Sequence, residues 1–136
     1  MAVSGEVSVA VSGTVSETVR CVKIKLKPGS LPRVRQWAAE IGARRAEALA
    51  TMAGEGVVLE SFFLDSSEHG DYLIGYLRAG SLKQAAEAVA VSTHDVDAYH
   101  KAFQRDTWDA GERLELLVDC KPIRGGEALV CSAFSW

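Results

Sequence analysis

The 136-residue sequence has no run of apolar residues long enough to cross a membrane and no pair of cysteines at Cys-x-x-Cys spacing. A spanning helix needs about 20 mostly apolar residues, so no membrane partner is expected. The three cysteines, Cys21, Cys120 and Cys131, are odd in number and lack the spacing of a zinc or redox site. Free thiols in the cytoplasm are the simplest interpretation, because no basic segment followed by an apolar core indicates a secretory signal.

The sequence also lacks a basic excess. Its 15 lysines and arginines stand against 18 aspartates and glutamates, which gives a net charge of −3 and argues against a nucleic-acid partner. No nucleophile elbow, phosphate-binding glycine loop or Rossmann fingerprint is present, and the Gly54-Glu55-Gly56 turn is too short a match to count. What remains is a chain that is 48% hydrophobic and long enough to bury one core.

Hydrophobic periodicity predicts the element order strand, helix, strand, strand, helix, strand. The four predicted strands are residues 20–27, 57–65, 72–78 and 113–120. The first helix is predicted at residues 33–52, with Ser30 as its N-cap and Gly54 and Gly56 at its end. The second helical region, 82–108, breaks at Ser92-Thr93, where Ser92 and Asp95 resemble a capping box.

This order is the split βαβ pattern, so we expect an α+β, ferredoxin-like domain with a four-stranded antiparallel sheet and both helical regions on one face. The other face would stay uncovered. By strand alternation it would carry Lys23, Lys25, Glu60, Phe62, Tyr72, Ile74, Tyr76, Arg78 and Glu115. Two such faces packed together would bury the aromatic side chains, which predicts a homodimer.

Three segments follow from this organisation. Residues 1–18 are a low-complexity stretch rich in Val, Ser and Gly, which fits either a flexible leader or an extended arm. Residues 19–120 form the predicted domain. Residues 121–136 form an apolar tail that we expect to pack on the domain or on a partner subunit.

Five segments carry a resemblance to a small family of uncharacterised single-domain bacterial proteins. They are VKIKLKPGSLPRVRQWAAEI, GVVLESFFLD, GDYLIGYLRA, STHDVDAYHKAF and TWDAGERLELLVD. The chain also resembles the wider dimeric α+β-barrel superfamily, a ferredoxin-like group that includes antibiotic-biosynthesis monooxygenases. The resemblance implies a homodimer and a pocket between the sheet and its helices. It implies no single reaction and supplies no catalytic residues.

Residues 92–108 concentrate the side chains that could do chemistry. His94 at the helix break and His100 within the helix are candidate acid/base groups, since the histidine pKa lies near neutral pH. Asp97 precedes His100 by three residues and could orient its ring, and Tyr99 could donate a hydrogen bond to a carbonyl. A capping histidine, a structural histidine and a buried tyrosine are the simpler interpretations.

Aromatic residues at helical spacing could form the wall of a substrate pocket, although core packing explains them equally well. The candidate substrate-binding residues are Trp37, Phe103, Trp108, Tyr72 and Tyr76. Tyr72 and Tyr76 lie on the predicted open face, where dimer packing also accounts for them. A spacing of six residues points His94 and His100 in directions about 120° apart on a helix, so no metal site is expected.

These observations favour a cofactor-independent enzyme of specialised metabolism that acts by acid/base chemistry on an apolar carbonyl or polyketide-like molecule. Cyclisation, dehydration and isomerisation are the reactions considered, ahead of oxygenation. A non-catalytic dimeric module that binds a ligand or stabilises a partner is the competing hypothesis. A cofactor-free monooxygenase or a haem-binding protein is a further alternative.

Overall fold

A computed structural model describes residues 17–121 and the backbone of residues 130–133. The strands are β1 (Thr18–Leu26), β2 (Val57–Ser67), β3 (Gly70–Ala79), β4 (Trp108–Arg113), β5 (Val118–Lys121) and β6 (Val130–Ala133). The helices are α1 (Leu31–Ala43), α2 (Arg45–Glu55), α3 (Leu82–Val91) and α4 (Asp95–Thr107). Strands β1 to β4 form an antiparallel sheet in the order β2-β3-β1-β4, and β5 pairs with β6. The predicted α+β, ferredoxin-like fold is confirmed.

Strand alternation in β1 decides which face of the sheet meets the helices. Ile24 and Leu26 are 1% and 4% exposed, whereas Lys25 between them is exposed. In the register of the sheet, Ile24 lies opposite Leu73 of β3, which is buried as well. The apolar face of the sheet therefore forms the floor of the core under the helices.

The predicted single helix over residues 33–52 is two helices, with a break at Arg44. Arg44 has φ −104° and ψ 31°, and its side chain pairs with Glu47 at 2.8 Å. The second helix ends at Gly56, whose φ of 71° favours glycine. Ser30 stands before α1 but makes no side-chain cap, because its hydroxyl donates to the carbonyl oxygen of Lys27 at 2.6 Å.

The predicted capping box at Ser92 is also wrong, because the residue that precedes α4 is His94. The Ser92 hydroxyl accepts from the backbone N–H of His94 at 3.2 Å and donates to Asp97 at 2.5 Å. The break that the sequence placed at residues 92–93 is present, since α3 ends at Val91 and α4 begins at Asp95.

The fourth sheet strand begins earlier than predicted, at Trp108 instead of residue 113. Trp108 pairs with Leu26 and packs on the core, so its apolar ring fixes the start of the strand immediately after α4. Residues 114–117 lie outside the strands, and β5 begins at Val118. The alternation of leucines at 114 and 116 therefore predicted a strand where the structure has none.

The predicted faces of β2 are wrong, because the strand contains a β-bulge. Val57 pairs with Ala79 and Leu59 with Arg78, so Val58 is the extra residue between them. The bulge shifts the alternation, because one extra residue moves every later side chain to the opposite face. Glu60 and Phe62 consequently point toward the helices, not onto the open face as predicted.

The core consists of two clusters of buried side chains. One gathers around Trp37 and Phe103, whose rings stack with centroids 4.4 Å apart and planes inclined by 4°. The other contains Val57, Leu77, Ala79 and Ala85. The space between the two clusters is not filled by side chains, and the candidate site lies there.

The described cysteines differ from each other. Cys21 is free, as predicted, but Cys120 is disulfide-bonded, so the prediction of a free thiol is wrong for Cys120. Of the predicted leader, residues 1–18, positions 1–16 lie outside the described residues. Of the predicted tail, residues 121–136, the structure describes Lys121 and the backbone of residues 130–133. No described helix is long and apolar enough to span a membrane. Location in the cytoplasm stays a prediction.

Candidate functional site

A cavity of about 400 Å³ lies between the sheet and the helices, at the junction of the two core clusters. Small residues create part of the space, since Ala48, Ala85 and Ala86 face it from α2 and α3. Most of its wall is apolar. The larger apolar side chains that line it are Trp37, Ile41, Met52, Val57, Phe62, Leu77, Leu82, Val89 and Val96.

Gly75 of β3 helps to set the shape of this cavity. A Cβ atom at this position would lie 3.0 Å from Cε1 of Phe62 and 3.4 Å from Cγ2 of Val22. Glycine therefore lets the Phe62 ring lie across β3 and contact the edge of Trp37, with ring centroids 5.1 Å apart. Any larger residue would displace Phe62, which is part of the cavity wall.

Seven polar side chains interrupt the apolar wall. They are Arg20 from β1, Thr51 and Glu55 from α2, Glu60 from β2, and Asp97, His100 and Gln104 from α4. Thr51 is satisfied within its own helix, where its hydroxyl donates to the carbonyl oxygen of Ala48 at 2.9 Å. Arg20, Glu55 and Glu60 have fewer partners among the described residues than their chemistry allows.

Glu55 and Asp97 form a pair of carboxyl groups at the roof of the cavity. Burial, the negative charge of Asp97 and a hydrogen bond with Asp97 together raise the pKa of Glu55 to about 7. Lys101 opposes the shift by its positive charge. The Oε1 atom of Glu55 is buried and has no hydrogen-bond partner within residues 17–121, so one oxygen of the pair is available to a ligand.

Among the described residues, Arg20 is the only arginine that lines this cavity. Its Nε–H is buried and finds no acceptor in the part of the chain that the structure describes. A buried unpaired donor costs on the order of 1–3 kcal/mol, so it needs an explanation. A ligand oxygen in the cavity would supply the missing acceptor.

Glu60 faces the same cavity from β2. Burial raises its pKa, whereas the charge of Arg20 lowers it and that of Asp97 raises it. Glu60 lines the cavity but keeps an exposed surface, and no described residue forms an ion pair or hydrogen bond with its carboxyl group. Glu60 is thus a third polar group that is available to a ligand.

His100 has both ring nitrogens in hydrogen bonds. Nδ1 accepts from the Trp37 indole N–H at 3.1 Å, and Nε2 lies 2.8 Å from the Gln104 side-chain amide. Because Nδ1 accepts, a neutral ring carries its proton on Nε2. The amide atom placed opposite is the Gln104 nitrogen, so this tautomer requires the amide to be turned so that its oxygen accepts. Burial lowers the pKa of His100 to about 4, against the opposing effect of Asp97, so the ring is neutral at pH 7.

Three of the residues expected to form the site line the cavity: Trp37, Asp97 and His100. The other six do not. His94 is exposed at the start of α4, and the Tyr99 hydroxyl accepts from Arg33 at 3.0 Å within the core cluster around Trp37. Phe103 is fully buried under Trp37, and Trp108 packs beside it with an unpartnered Nε1.

Tyr72 and Tyr76 lie on the open face of the sheet, away from this cavity. Lys23 sits 4.5 Å from the centre of the Tyr72 ring, and the Tyr76 hydroxyl accepts from Arg78 at 3.0 Å. Arg20, Glu55 and Gln104 were not predicted as site residues, and the predicted face of Glu60 is wrong. Periodicity could have placed Arg20 beside Val22 and Ile24 on one face, but the signal for Glu60 was hidden by the bulge.

Comparison with solved structures supports the fold. An uncharacterised NIPSNAP-like domain protein from Burkholderia xenovorans is 12% identical, with a TM-score of 0.50 over 90% of this chain and 97% of that one. A protein from Bacteroides thetaiotaomicron, provisionally described as an antibiotic biosynthesis monooxygenase, is 14% identical, with a TM-score of 0.49 over 83% and 95%. A dimeric ferredoxin-like protein of unknown function from Bacteroides fragilis is 13% identical, with a TM-score of 0.45 over 87% and 96%.

Comparison with proteins of curated function finds no match. A family model does match residues 17–125, which include every residue of the cavity wall. The match covers most of the chain. The chain belongs to the family of unknown function DUF6176.

Proposed function

We propose that the protein is a cofactor-independent enzyme that moves protons on a small, largely apolar carbonyl or polyketide-like molecule. The observation that carries this proposal is the Glu55–Asp97 carboxyl pair at an apolar cavity, with a free buried oxygen on Glu55. A base works best when its pKa lies near the working pH, and a value of about 7 for Glu55 meets that condition.

In this proposal the ionised Glu55 carboxylate takes a proton from the carbon next to the substrate carbonyl through Oε1. The C–H bond breaks, its electrons form a carbon–carbon double bond, and negative charge develops on the carbonyl oxygen. Arg20 stabilises that charge with its unpaired Nε–H. Glu55 then returns the proton to carbon. Aldol-type cyclisation, dehydration and isomerisation all begin with this step.

Asp97 and His100 keep a part in the proposed site, but the base is Glu55. Asp97 raises the proton affinity of Glu55, and Ser92 and the first turn of α4 hold its carboxylate in place. His100 holds the Trp37 indole by its hydrogen bond, which fixes one wall of the cavity. Haem binding by His100 is less favoured, because coordination would break one of its two hydrogen bonds.

Deuterium exchange next to a carbonyl tests this proposal. The ketone 1-tetralone, dissolved in D₂O with the protein, should lose its C2 proton signal in NMR faster than in buffer alone. Glu55→Gln should abolish the acceleration, and Glu112→Gln, at an exposed position on β4, should leave it unchanged. Equal rates with and without the wild-type protein, for this ketone and for smaller apolar ketones, would refute proton transfer.

We also propose that a second copy of the chain covers the open face of the sheet. The support is the exposed apolar surface there and beside it, since Phe63 is 60% exposed and Val118 is 59% exposed. Light scattering after gel filtration should give twice the chain mass of 14.6 kDa. Phe63→Lys should then shift the protein toward the monomer, and a monomeric wild type would contradict the proposal.

A further inference from the structure

Arg20 and Glu60 lie in one row across the floor of the cavity. In the sheet register both pair with the same residue, Leu77 of β3, one from β1 and the other from β2. Neighbouring strands are about 4.8 Å apart, so the Cα atoms of Arg20 and Glu60 are separated by roughly 10 Å. Leu77 lies between them and is itself part of the cavity wall.

The two charged groups of this row do not satisfy each other. They form no ion pair in the structure, and the buried Nε–H of Arg20 has no acceptor. The row therefore offers a hydrogen-bond donor at one end, an acceptor at the other and an apolar surface between them. A ligand that fits this space needs an acceptor for Arg20 and a donor for Glu60 on opposite sides of an apolar body.

The charge around the cavity decides between neutral and anionic ligands. Arg20 is balanced by Glu60, and Asp97 adds a further negative charge, to which Glu55 contributes when it is ionised. Lys101 acts on Glu55 and is absent from the cavity wall. A carboxylate or phosphate ligand would meet this excess of negative charge, so the wall favours a neutral molecule.

We infer that the site takes a neutral hydroxy-ketone, whose carbonyl oxygen accepts from Arg20 and whose hydroxyl donates to Glu60 across an apolar ring that lies on Leu77. This inference rests on the proposed function and deepens it, because it orients the carbonyl carbon toward the Glu55–Asp97 pair above the row. The apolar wall of a 400 Å³ cavity suits a fused two-ring body.

Three related compounds test the inference by binding alone. The probe is 6-hydroxy-1-tetralone, which carries both groups on opposite sides of its ring system, with its 5- and 7-hydroxy isomers as alternatives in spacing. The reference compounds are 1-tetralone, which lacks the hydroxyl, and 5,6,7,8-tetrahydro-2-naphthol, which lacks the carbonyl. Calorimetry should show that at least one hydroxy-ketone binds about tenfold more tightly than either reference compound.

Matched variants test which residue binds each end of the hydroxy-ketone. Glu60→Leu should make the hydroxy-ketone bind only as tightly as 1-tetralone, and Arg20→Met should remove the advantage of the carbonyl. Glu112→Leu and Arg35→Met, both at exposed positions, are the controls, and melting curves check that each variant folds. Equal affinity for all compounds, or a hydroxyl advantage that survives Glu60→Leu, would overturn the inference.

The outcome separates this inference from the proposed chemistry. Discrimination among the compounds without deuterium exchange would keep the Arg20–Glu60 row as a hydroxy-ketone site and reject proton transfer. Exchange without discrimination would keep proton transfer and reject the hydroxy-ketone class.

Discussion

Arg20 and Arg78 lie on opposite faces of the same sheet and differ in what surrounds them. Arg78, on the open face, donates to Asp119 at 2.6 Å and to Tyr76 at 3.0 Å, and it pairs with Glu17 at 3.4 Å. Arg20, under the helices, has a buried Nε–H without an acceptor. The satisfied arginine holds the segment after β4 against the sheet. The unsatisfied one lines the cavity, where we propose that a ligand oxygen accepts from it.

The largest expected difference between the two faces of the sheet is in the rate of deuterium exchange. Glu55→Gln and Asp97→Asn should each lower the rate of deuterium exchange into 1-tetralone by about 10²–10⁴-fold, the usual contribution of a positioned acid or base. Arg78→Met should leave the rate per folded molecule unchanged, since Arg78 lies outside the cavity. A loss of rate in Arg78→Met as large as that in Glu55→Gln would erase the distinction between the two faces.

The next effect compares two histidines, one in the cavity wall and one exposed. Burial lowers the pKa of His100 to about 4, below the usual 6.5, so the unfolded chain binds its proton first. The contribution of His100 to stability should therefore fall as the pH drops from 6.5 to 4, by on the order of 3 kcal/mol. Because Glu55 contributes with the opposite sign over an overlapping pH range, the variants are compared with each other at each pH. Urea unfolding should show that the wild type and His94→Gln both lose stability relative to His100→Gln as the pH drops.

The two arginines should also differ in their effect on stability. Arg78→Met removes the partner of the half-buried Glu17 and Asp119, so it should lower the free energy of unfolding by about 1–2 kcal/mol. Arg20→Met removes a buried donor that costs on the order of 1–3 kcal/mol when it is unpaired, so it should raise this free energy or leave it unchanged, but should not lower it. Denaturant melts of the two variants give the measurement. A larger loss in Arg20→Met would indicate that Arg20 has a structural role.

The smallest effect concerns the pH dependence that comes from Glu55. Its pKa in the folded chain, about 7, lies above the ordinary value of 4.5, so the folded chain binds this proton more tightly. The contribution to stability is present below pH 4.5 and is lost as the pH rises to 7. Glu55→Gln should flatten this part of the stability curve. A curve with an unchanged slope between pH 4.5 and 7 would contradict the pairing with Asp97.

The sequence predicted the fold because alternation in β1 and β3 is regular and the turns are marked by glycine and polar residues. It predicted the cavity residues less well. The bulge at Val58 moved Glu60 and Phe62 from the predicted open face to the cavity, and periodicity contains no signal for an extra residue. Glu55, near a helix end, had no neighbour in sequence that pointed to Asp97, 42 residues later, because only the packing of α2 near α4 brings the two together.

The concentration of reactive side chains in residues 92–108 predicted the cavity residues only in part. Asp97 and His100 line the cavity, whereas His94 and Tyr99 do not. A helix presents only part of its circumference to the core, and the direction of α4 follows from Val96 and Phe103, which are 3% and 0% exposed. At 100° per residue, Asp97 and His100 lie on one flank of the stripe formed by these two residues, and that flank borders the cavity. Tyr99 lies on the other flank and packs on the core cluster around Trp37, and His94 precedes the helix.

The pH profile of deuterium exchange into 1-tetralone tests the central claim most directly. If Glu55 is the base, the rate should rise with pH to a plateau, with a midpoint near 7, and Glu55→Gln should remove both the rate and the midpoint. A rate that is independent of pH, or a midpoint near 7 that survives in Glu55→Gln, would contradict the account.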